Sequence, residues 1–322
     1  RMMGASYSVR GRNPRVSKDL SGHESMDSSL LENTLNTAMN TPERLSALCL
    51  AVLLALPISS VHAQSLDWNL PGSGAWDTAT ANWTPDGGTT TTTFASDGTV
   101  DVNFNTGSDA TITIAPGMNP ASTTANPSGG TLQFSGGPIA GAGGLTKSGS
   151  GVLRLNGENS FTGKTVIQGG RLELWSSALL SNAGANGALG APSGANAVID
   201  MYNGSTLKVR QTGGSTQSTD RTIDLVDPAG AGTVTIQFNG NDCFYTLGEV
   251  TATGDGAKLL DLYTGVDGNG DREVVTINGP ISDVTGDGSP LSLRVAYRTQ
   301  TNGADSFFNL PGSNTFTGDI EL

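Results

Sequence analysis

The chain has 322 residues, of which 45 are glycine, only 14% are charged and 6% are aromatic, and its formal net charge is −12. Glycine destabilises a helix by about 1 kcal/mol relative to alanine, so this composition excludes a mainly helical protein. Threonine, serine and asparagine, interspersed with short runs of valine, isoleucine and leucine, predict many short strands joined by turns.

The N-terminal residues have the pattern of an export signal. Residues 1–38 are polar and the chain does not begin with methionine, so we interpret them as an upstream segment that is disordered or not translated. Residues 39–63 are predicted to be a signal peptide, with Arg44, an apolar run, and small residues before a cut after Ala63. The apolar run falls short of the roughly 20 residues that span a bilayer. The alternative interpretation is a buried helix.

Export narrows the possible functions of residues 64–322. Six of the 17 basic and five of the 29 acidic residues lie upstream, which leaves 11 bases and 24 acids, a net charge of −13. Such a balance disfavours nucleic-acid binding, which requires a basic face. His23 and His62 also lie upstream, so the exported part lacks the usual general base and zinc ligand. Cys243 remains without a partner for an internal disulfide and is predicted to be a buried structural thiol.

Residues 64–117 form a tryptophan-rich segment containing Trp68, Trp76 and Trp83. We interpret it as an N-terminal cap, because the open end of a repetitive core must be covered. The alternative is a platform of exposed indole rings on which carbohydrate stacks. No cluster of polar residues accompanies the rings, and this favours the cap.

Residues 118–322 contain short segments with the alternation of a strand that has one buried face. Ser176–Gly190 has some helical spacing, but its asparagines and glycines predict a loop. The predicted strands are 132–134, 152–155, 165–167, 171–174, 198–201, 206–209, 222–225, 233–238, 244–247, 258–263, 273–277, 291–295 and 307–310.

An Asn-x-Phe-Thr-Gly unit occurs twice, beginning at Asn159 and at Asn314. In both copies a leucine (Leu155, Leu310) is predicted to end an inward-facing strand and a glycine (Gly157, Gly312) to adopt positive φ. The asparagine is predicted to form an Asx turn with neighbouring backbone. The phenylalanine (Phe161, Phe316) is predicted to close the core, and the last glycine (Gly163, Gly318) to release the chain into the next strand. The copies are 155 residues apart, which is longer than one solenoid coil, so other coils are expected between them.

The stretch from Gly143 to Leu174, which includes Gly-Gly-Leu-Thr-Lys-Ser-Gly-Ser-Gly and Asn-Ser-Phe-Thr-Gly, resembles the passenger-associated transport repeat, also called the autotransporter-associated β-strand repeat. A partial second copy covers Phe308 to Leu322. The segment around Trp68, Trp76 and Trp83 resembles the region that often precedes this repeat in large bacterial surface proteins. The resemblance implies an all-β, right-handed parallel β-helix over residues 118–322, exported and then displayed or released.

Candidate sites for chemistry are weak. Asp267, Asn269 and Asp271 have the spacing of the start of a calcium loop, but Arg272 and Asn278 break the rest of that pattern, so an acidic turn is favoured over a metal site. Two pairs of neighbouring carboxylates, Asp224/Asp227 and Asp283/Asp287, are the candidates for a polysaccharide lyase or hydrolase. Proximity in sequence does not provide the required separation across a substrate. No catalytic residue, metal site or cofactor is therefore predicted.

The sequence favours a secreted or surface-displayed structural or adhesive β-solenoid of the passenger type, outside the cell, that is not an enzyme. Its expected partners are an extracellular polysaccharide or a cell-surface ligand, not nucleic acid, and no transmembrane span is expected. The alternative is a β-helix that binds or cleaves carbohydrate. Because the second Asn-x-Phe-Thr-Gly unit ends close to Leu322, the solenoid is expected to be truncated at its C-terminus, with no strand after that unit.

Overall fold

The structure is a computed structural model that describes residues 64–85, 87–175, 180–211, 214–227, 230–240, 242–265, 273–297 and 306–322. The predicted upstream segment, the signal peptide and the calcium-loop candidates Asp267, Asn269 and Asp271 lie outside the described residues. Within them, the regular structure is 24 β-strands and one 3-10 turn at Gly194–Asn196. Among these same residues there is no helix with the length and apolar character needed to cross a membrane.

The strands form three sheets. Sheet A consists of β1 (Gln64–Trp68), β3 (Trp83–Pro85), β4 (Val100–Phe104), β6 (Ser122–Ala125), β8 (Leu145–Lys147), β10 (Thr165–Ile167), β12 (Val198–Met201), β15 (Thr222–Leu225), β18 (Val250–Ala252) and β21 (Ile281–Asp283). Sheet B consists of β2 (Gly74–Trp76), β5 (Ala110–Ile114), β7 (Thr131–Gly136), β9 (Val152–Asn156), β11 (Gly170–Trp175), β13 (Ser205–Arg210), β16 (Gly232–Asn239), β19 (Lys258–Gly265), β22 (Leu291–Tyr297) and β24 (Ile320–Glu321). Sheet C consists of β14 (Thr216–Ser218), β17 (Phe244–Leu247), β20 (Val274–Ile277) and β23 (Phe307–Asn309).

The chain visits sheet A, then sheet B and, in its later part, sheet C, before it returns to sheet A one strand further along. Among the described strands, the pairings are parallel except that of β1 with β3. Inward-facing side chains alternate with outward-facing ones, as in β4 and β13, and the inward ones form one continuous core. This architecture confirms the predicted parallel β-helix, a β-solenoid.

Coil length divides the solenoid into two sections. From β4 to β11, residues in register lie 19 to 22 positions apart, as Leu153 and Leu172 do. From β12 to β23, the spacing is 24 to 33 residues, as from Val198 to Thr222. The step between the two sections, from β11 to β13, is 35 residues and contains the predicted loop, whose described part from Leu180 has no strand. We call β4–β11 the narrow section and β12–β23 the wide section.

The tryptophans of the N-terminal segment are buried. Trp76 and Trp83 are fully covered, and Trp68 is 5% exposed. Edge-to-face contacts join the three rings to one another, with centroids 5.1 Å apart for Trp68 and Trp83, and they also pack on Phe104. The alternative of an exposed carbohydrate-stacking platform is therefore wrong for these rings. The antiparallel strand β3 ends the parallel ladder of sheet A on this side, as a cap would.

The two Asn-x-Phe-Thr-Gly units make the same contact at different corners of the coil. The side-chain oxygen of Asn159 accepts a hydrogen bond from Ile139 N, and that of Asn314 accepts one from Ile281 N, both at 2.9 Å. These bonds reach the preceding coil, so the predicted local Asx turn is wrong. The first unit leads into β10 of sheet A, whereas the second leads into β24 of sheet B. The expectation that no strand follows the second unit is wrong as well, because β24 pairs with β22.

The glycines of these units serve close packing. Neither Gly157 nor Gly312 has positive φ, contrary to the prediction. A Cβ on Gly163 would lie 2.5 Å from the backbone of Gly143 in the adjacent coil, and one on Gly312 would lie 2.2 Å from the carbonyl oxygen of Gly279. Side chains are absent at these positions because two coils touch there through their backbones. Phe161 lies in the core as predicted, and Phe316 packs against it while partly exposed.

A buried lysine sits at the turn from sheet A to sheet B in each section. Lys147, in the narrow section, is fully buried and donates to the carbonyl oxygens of Ser148, Gly149 and Gly169. Lys258, in the wide section, is 2% exposed and donates likewise to three carbonyl oxygens of its own turn and the preceding one. Burial lowers the pKa of Lys147 to about 8. Each ammonium group satisfies carbonyl groups that the tight turns leave without a backbone partner.

Candidate functional site

Four basic side chains come together on the outer surface of sheet B where the narrow section meets the wide section. They belong to three neighbouring strands, β9, β11 and β13, whose parallel register aligns them. We call this surface the cationic face; it consists of Arg154, Arg171, Glu173, Trp175, Lys208 and Arg210.

Glu173 holds the centre of the cationic face. In the register its neighbours are Arg154 on one side and Lys208 on the other. Its carboxylate accepts from the Nε of Arg154 at 3.0 Å and lies 3.1 Å from the Nζ of Lys208. The Glu173 side chain is only 1% exposed, because the two bases cover it. A charge so poorly solvated requires such partners, and it fixes both cations in place.

Trp175 lies between two of the arginines, Arg154 and Arg210. The guanidinium carbon of Arg154 lies 3.9 Å from the centre of the indole ring, and that of Arg210 lies 3.6 Å from it. The two arginines approach from the strands on either side of β11. These cation–π contacts leave no open ring face on which a sugar could stack. They restrict the arginines and so reduce the entropy that either would lose on binding a ligand.

Arg171 has no counter-charge. Its side chain makes no hydrogen bond or ion pair with any described residue, and its Nε is buried without a partner. Arg154 uses only its Nε, which leaves both of its Nη groups without a hydrogen bond among the described residues. The six residues of the cationic face thus comprise four bases and one acid, on a chain that is acidic overall.

The carboxylate pairs considered for catalysis are engaged in hydrogen bonds within the solenoid. Asp224 accepts from the hydroxyl groups of Thr251 and Thr253, both at 3.0 Å, and Asp227 accepts from Asn203 N at 3.1 Å. Their contacts join neighbouring coils, which is a structural role.

The second pair is held ionised. Burial acts to raise the pKa of Asp283, but hydrogen bonds from Leu291 and Thr317 outweigh it and bring the pKa below its usual value. Hydrogen bonds from Ser289 and Gly256 lower the pKa of Asp287. A general acid requires the opposite shift, so this geometry does not favour acid catalysis at Asp283 or Asp287.

Among the described residues, histidine, cysteine and acidic side chains form no group of three that could hold a metal ion. Cys243 is fully buried, forms no disulfide, and its Sγ lies 3.6 Å from the Oγ of Ser215. The prediction that this thiol is buried is confirmed.

Sequence reasoning did not find the cationic face. The alternation of Arg171 and Glu173 in one strand indicates that both face outward, but the alignment with Arg154 and Lys208 requires two coil lengths, 19 and 35 residues. The longer one includes the loop before β12. The available signal was indirect: three of the 11 bases after residue 63, Arg154, Arg171 and Lys208, lie at outward positions of predicted strands, and Arg210 directly follows one of these strands.

A family model described as the passenger-associated-transport-repeat matches residues 145–174. No curated protein and no solved structure matches the chain. The matched segment begins with β8 and ends within β11, so it comprises two strands of sheet A and two of sheet B. Residues 145–174 are a passenger-associated-transport repeat, and they include three members of the cationic face, Arg154, Arg171 and Glu173.

Proposed function

We propose that the chain is an exported β-solenoid, displayed at or released from the cell surface, which serves as a passenger-type stalk and adhesive surface. The observation that carries this proposal is the passenger-associated-transport repeat folded as coils of a continuous parallel ladder. Repeats of this kind are associated with autotransporter passengers, and a solenoid is a suitable stalk because each coil contacts only its neighbours.

The dimensions suit a stalk. Sheet A has nine strands in parallel order, from β1 to β21. At a strand spacing of about 4.8 Å they extend over about 40 Å. Further coils of the same kind would lengthen the stalk by about 4.8 Å each without changing its outer faces.

Surface labelling of intact cells tests this proposal. An epitope inserted after Gly184, an exposed position where nothing would lie within 4 Å of an added Cβ, should leave the core unchanged. In the cells that encode the chain, we expect an antibody to label intact cells and added protease to remove the label. A tagged cytoplasmic protein is the control. Labelling that requires cell lysis would exclude the proposed display.

We also propose that the chain does not cleave its ligand. The hydrogen bonds that hold Asp224, Asp227, Asp283 and Asp287 support this view, and so does the lowered pKa of the last two. The test is release of reducing ends from polygalacturonate incubated with the purified full chain. Release above that of a heat-denatured sample would favour the alternative of a polysaccharide-cleaving β-helix.

A further inference from the structure

The bases outside the cationic face are already accounted for. Among those of residues 64–322, three are buried, two pair with aspartates, and two lie outside the described residues. They are, in that order, Lys147, Arg221 and Lys258; Lys164 with Asp200 and Arg294 with Asp261; Arg272 and Arg298. Arg171 of the cationic face differs from these bases, because it is neither fully buried nor paired with a described carboxylate.

The surroundings of the cationic face are neutral and polar. The register row that contains Arg154, Glu173 and Lys208 continues into Gln133 of β7 and Gln237 of β16, both half-buried. These amides can donate to and accept from hydroxyl groups. The result is a sheet surface of five strands, about 20 Å wide, with cations at its centre and hydrogen-bonding groups at its margins.

We propose that the cationic face binds an acidic polysaccharide, through guanidinium contacts with its carboxylate or sulfate groups and amide contacts with its hydroxyl groups. This inference rests on the proposed function, because it assigns the ligand of an exported adhesive surface. Guanidinium groups form paired hydrogen bonds with planar anions, and the Nη groups of Arg171 and Arg154 make no hydrogen bond with any described residue.

The charge distribution favours this ligand over nucleic acid. Residues 64–322 carry a net charge of −13, so a long duplex that leaves the small cationic face would meet acidic surface. A polysaccharide with spaced charges can lie across five strands and present its hydroxyl groups to Gln133 and Gln237. Because the arginines cover the indole of Trp175, recognition depends on charge and hydrogen bonds and not on stacking of a sugar ring.

The test measures binding of the purified full chain to immobilised polygalacturonate, dextran sulfate, neutral dextran and a DNA duplex. We expect binding to one or both acidic polysaccharides that weakens as salt is raised, and none to neutral dextran. The double variant Arg171→Gln/Arg210→Gln should weaken binding by about tenfold or more, equivalent to the loss of a charge-assisted hydrogen bond. The polymer that binds identifies the anion as carboxylate or sulfate.

The matched control is Lys164→Gln/Arg294→Gln, which removes the same charge from paired bases elsewhere on the solenoid. It should bind as the parent does. A third variant, Gln237→Glu, removes no contact of the cationic face and places a carboxylate beside Lys208, so it should weaken binding even if the first variant folds poorly.

Three results would overturn the inference: no binding to either acidic polymer, equal losses in the two double variants, or DNA binding as tight as polysaccharide binding. These results are independent of surface labelling. If the chain were confined to the cytoplasm, the proposed function would be refuted even if the chain bound polygalacturonate in vitro. If the chain were displayed but bound neither polymer, only the ligand assignment would be refuted.

Discussion

The narrow and wide sections of the solenoid differ in the length of their coils and in the side chains that fill their interiors. The narrow section closes each coil with short turns in which the backbones of adjacent coils touch, as at Gly163 and Gly170. The wide section adds the strands of sheet C, and its larger interior contains polar side chains. Glu273, for example, is 1% exposed and accepts from Gly240 N and Ser306 Oγ. Both kinds of coil thus depend on glycine where backbones touch, as Gly312 against Gly279 shows in the wide section, and the long coils depend on internal hydrogen bonds as well.

Arg221 shows what the wider interior permits. It is 2% exposed, and its Nη1 donates to the carbonyl oxygen of Leu189 at 3.0 Å. Its Nε and Nη2 have no partner among the described residues. Burial lowers the pKa of Arg221 to about 10, although Asp220 opposes the shift. The narrow section has no comparably large polar group in its described interior except Lys147, whose ammonium group reaches the carbonyl oxygens of a turn.

The largest effect is expected from adding a methyl group at a corner of the narrow section. Gly170 has φ +60°, and a Cβ there would lie 2.5 Å from the carbonyl oxygens of Gly149 and Gly151. We expect Gly170→Ala to lower the free energy of unfolding by about 4 kcal/mol, through both steric overlap and an unfavourable backbone conformation.

The matched variant is Gly204→Ala, at the same corner one coil later, where φ is +77° and nothing lies within 4 Å of a Cβ. Gly204→Ala should lower the free energy of unfolding by only about 1–2 kcal/mol, the cost of the left-handed conformation. Urea unfolding followed by circular dichroism measures both. If both variants lost the same free energy of unfolding, the close backbone contact at Gly170 would not be what excludes a side chain from that position.

The second prediction concerns pH and Lys147. Its pKa is lowered to about 8 in the folded chain from 10.5, so between these values the unfolded chain binds more protons and the folded state gains stability as pH rises. Lys147→Met removes this dependence. We expect the difference in unfolding free energy, parent minus variant, to increase by up to about 3 kcal/mol across this range.

Urea unfolding of both proteins at about pH 7.5, 9 and 10.5 measures this difference. A difference that stays constant would show that the three carbonyl groups hold the ammonium form as well as water does, contrary to the dominant effect of burial. Lys258→Met, in the wide section, is the companion variant. It removes a lysine with similar carbonyl partners and shows whether the pH dependence is specific to the narrow section.

The smallest losses of stability are expected from substitutions of the two asparagines of the repeated unit. Asn159 is 6% exposed; it accepts from Ile139 N and donates to the carbonyl oxygen of Ala188 at 2.8 Å. Asn159→Ala should cost about 2 kcal/mol, because two backbone groups lose their partners. Asn314 is exposed and makes one good contact, to Ile281 N, so Asn314→Ala should cost less than about 1 kcal/mol. Thermal unfolding measures both, and the reverse order would contradict the role of burial.

The sequence predicted the longer strands well and the shorter ones poorly. Each predicted strand overlaps a strand of the structure, because alternating apolar residues, as in β13 and β16, reflect one buried face. The three-residue strands β8, β14, β18 and β21 were not predicted. Three residues provide too little alternation, and in β8 and β14 an inward position is occupied by Lys147 or Gln217, which are buried.

The location of the candidate site was less predictable than the fold. Whether a residue faces outward is a local property, but which outward residues become neighbours depends on the lengths of the coils between them. Those lengths vary from 19 to 35 residues here. The inward-facing residues fix the register of β13 against β11, because a slip of one residue would turn them outward, but the strand pattern does not show how many residues the loop between these strands contains.

The two Asn-x-Phe-Thr-Gly units lead the chain into different sheets, and this has a consequence for long arrays. A unit that precedes a strand of sheet A lies on one side of the coil. A unit that precedes a strand of sheet B lies on another side, further around the solenoid axis. The partners of both asparagines, Ile139 and Ile281, follow a Gly-Pro pair, so the unit recognises a local backbone shape and not a fixed angular position. Successive copies along such a fibre could therefore present the same outer surface in different directions, and a stalk of this type could offer its binding faces around its whole circumference.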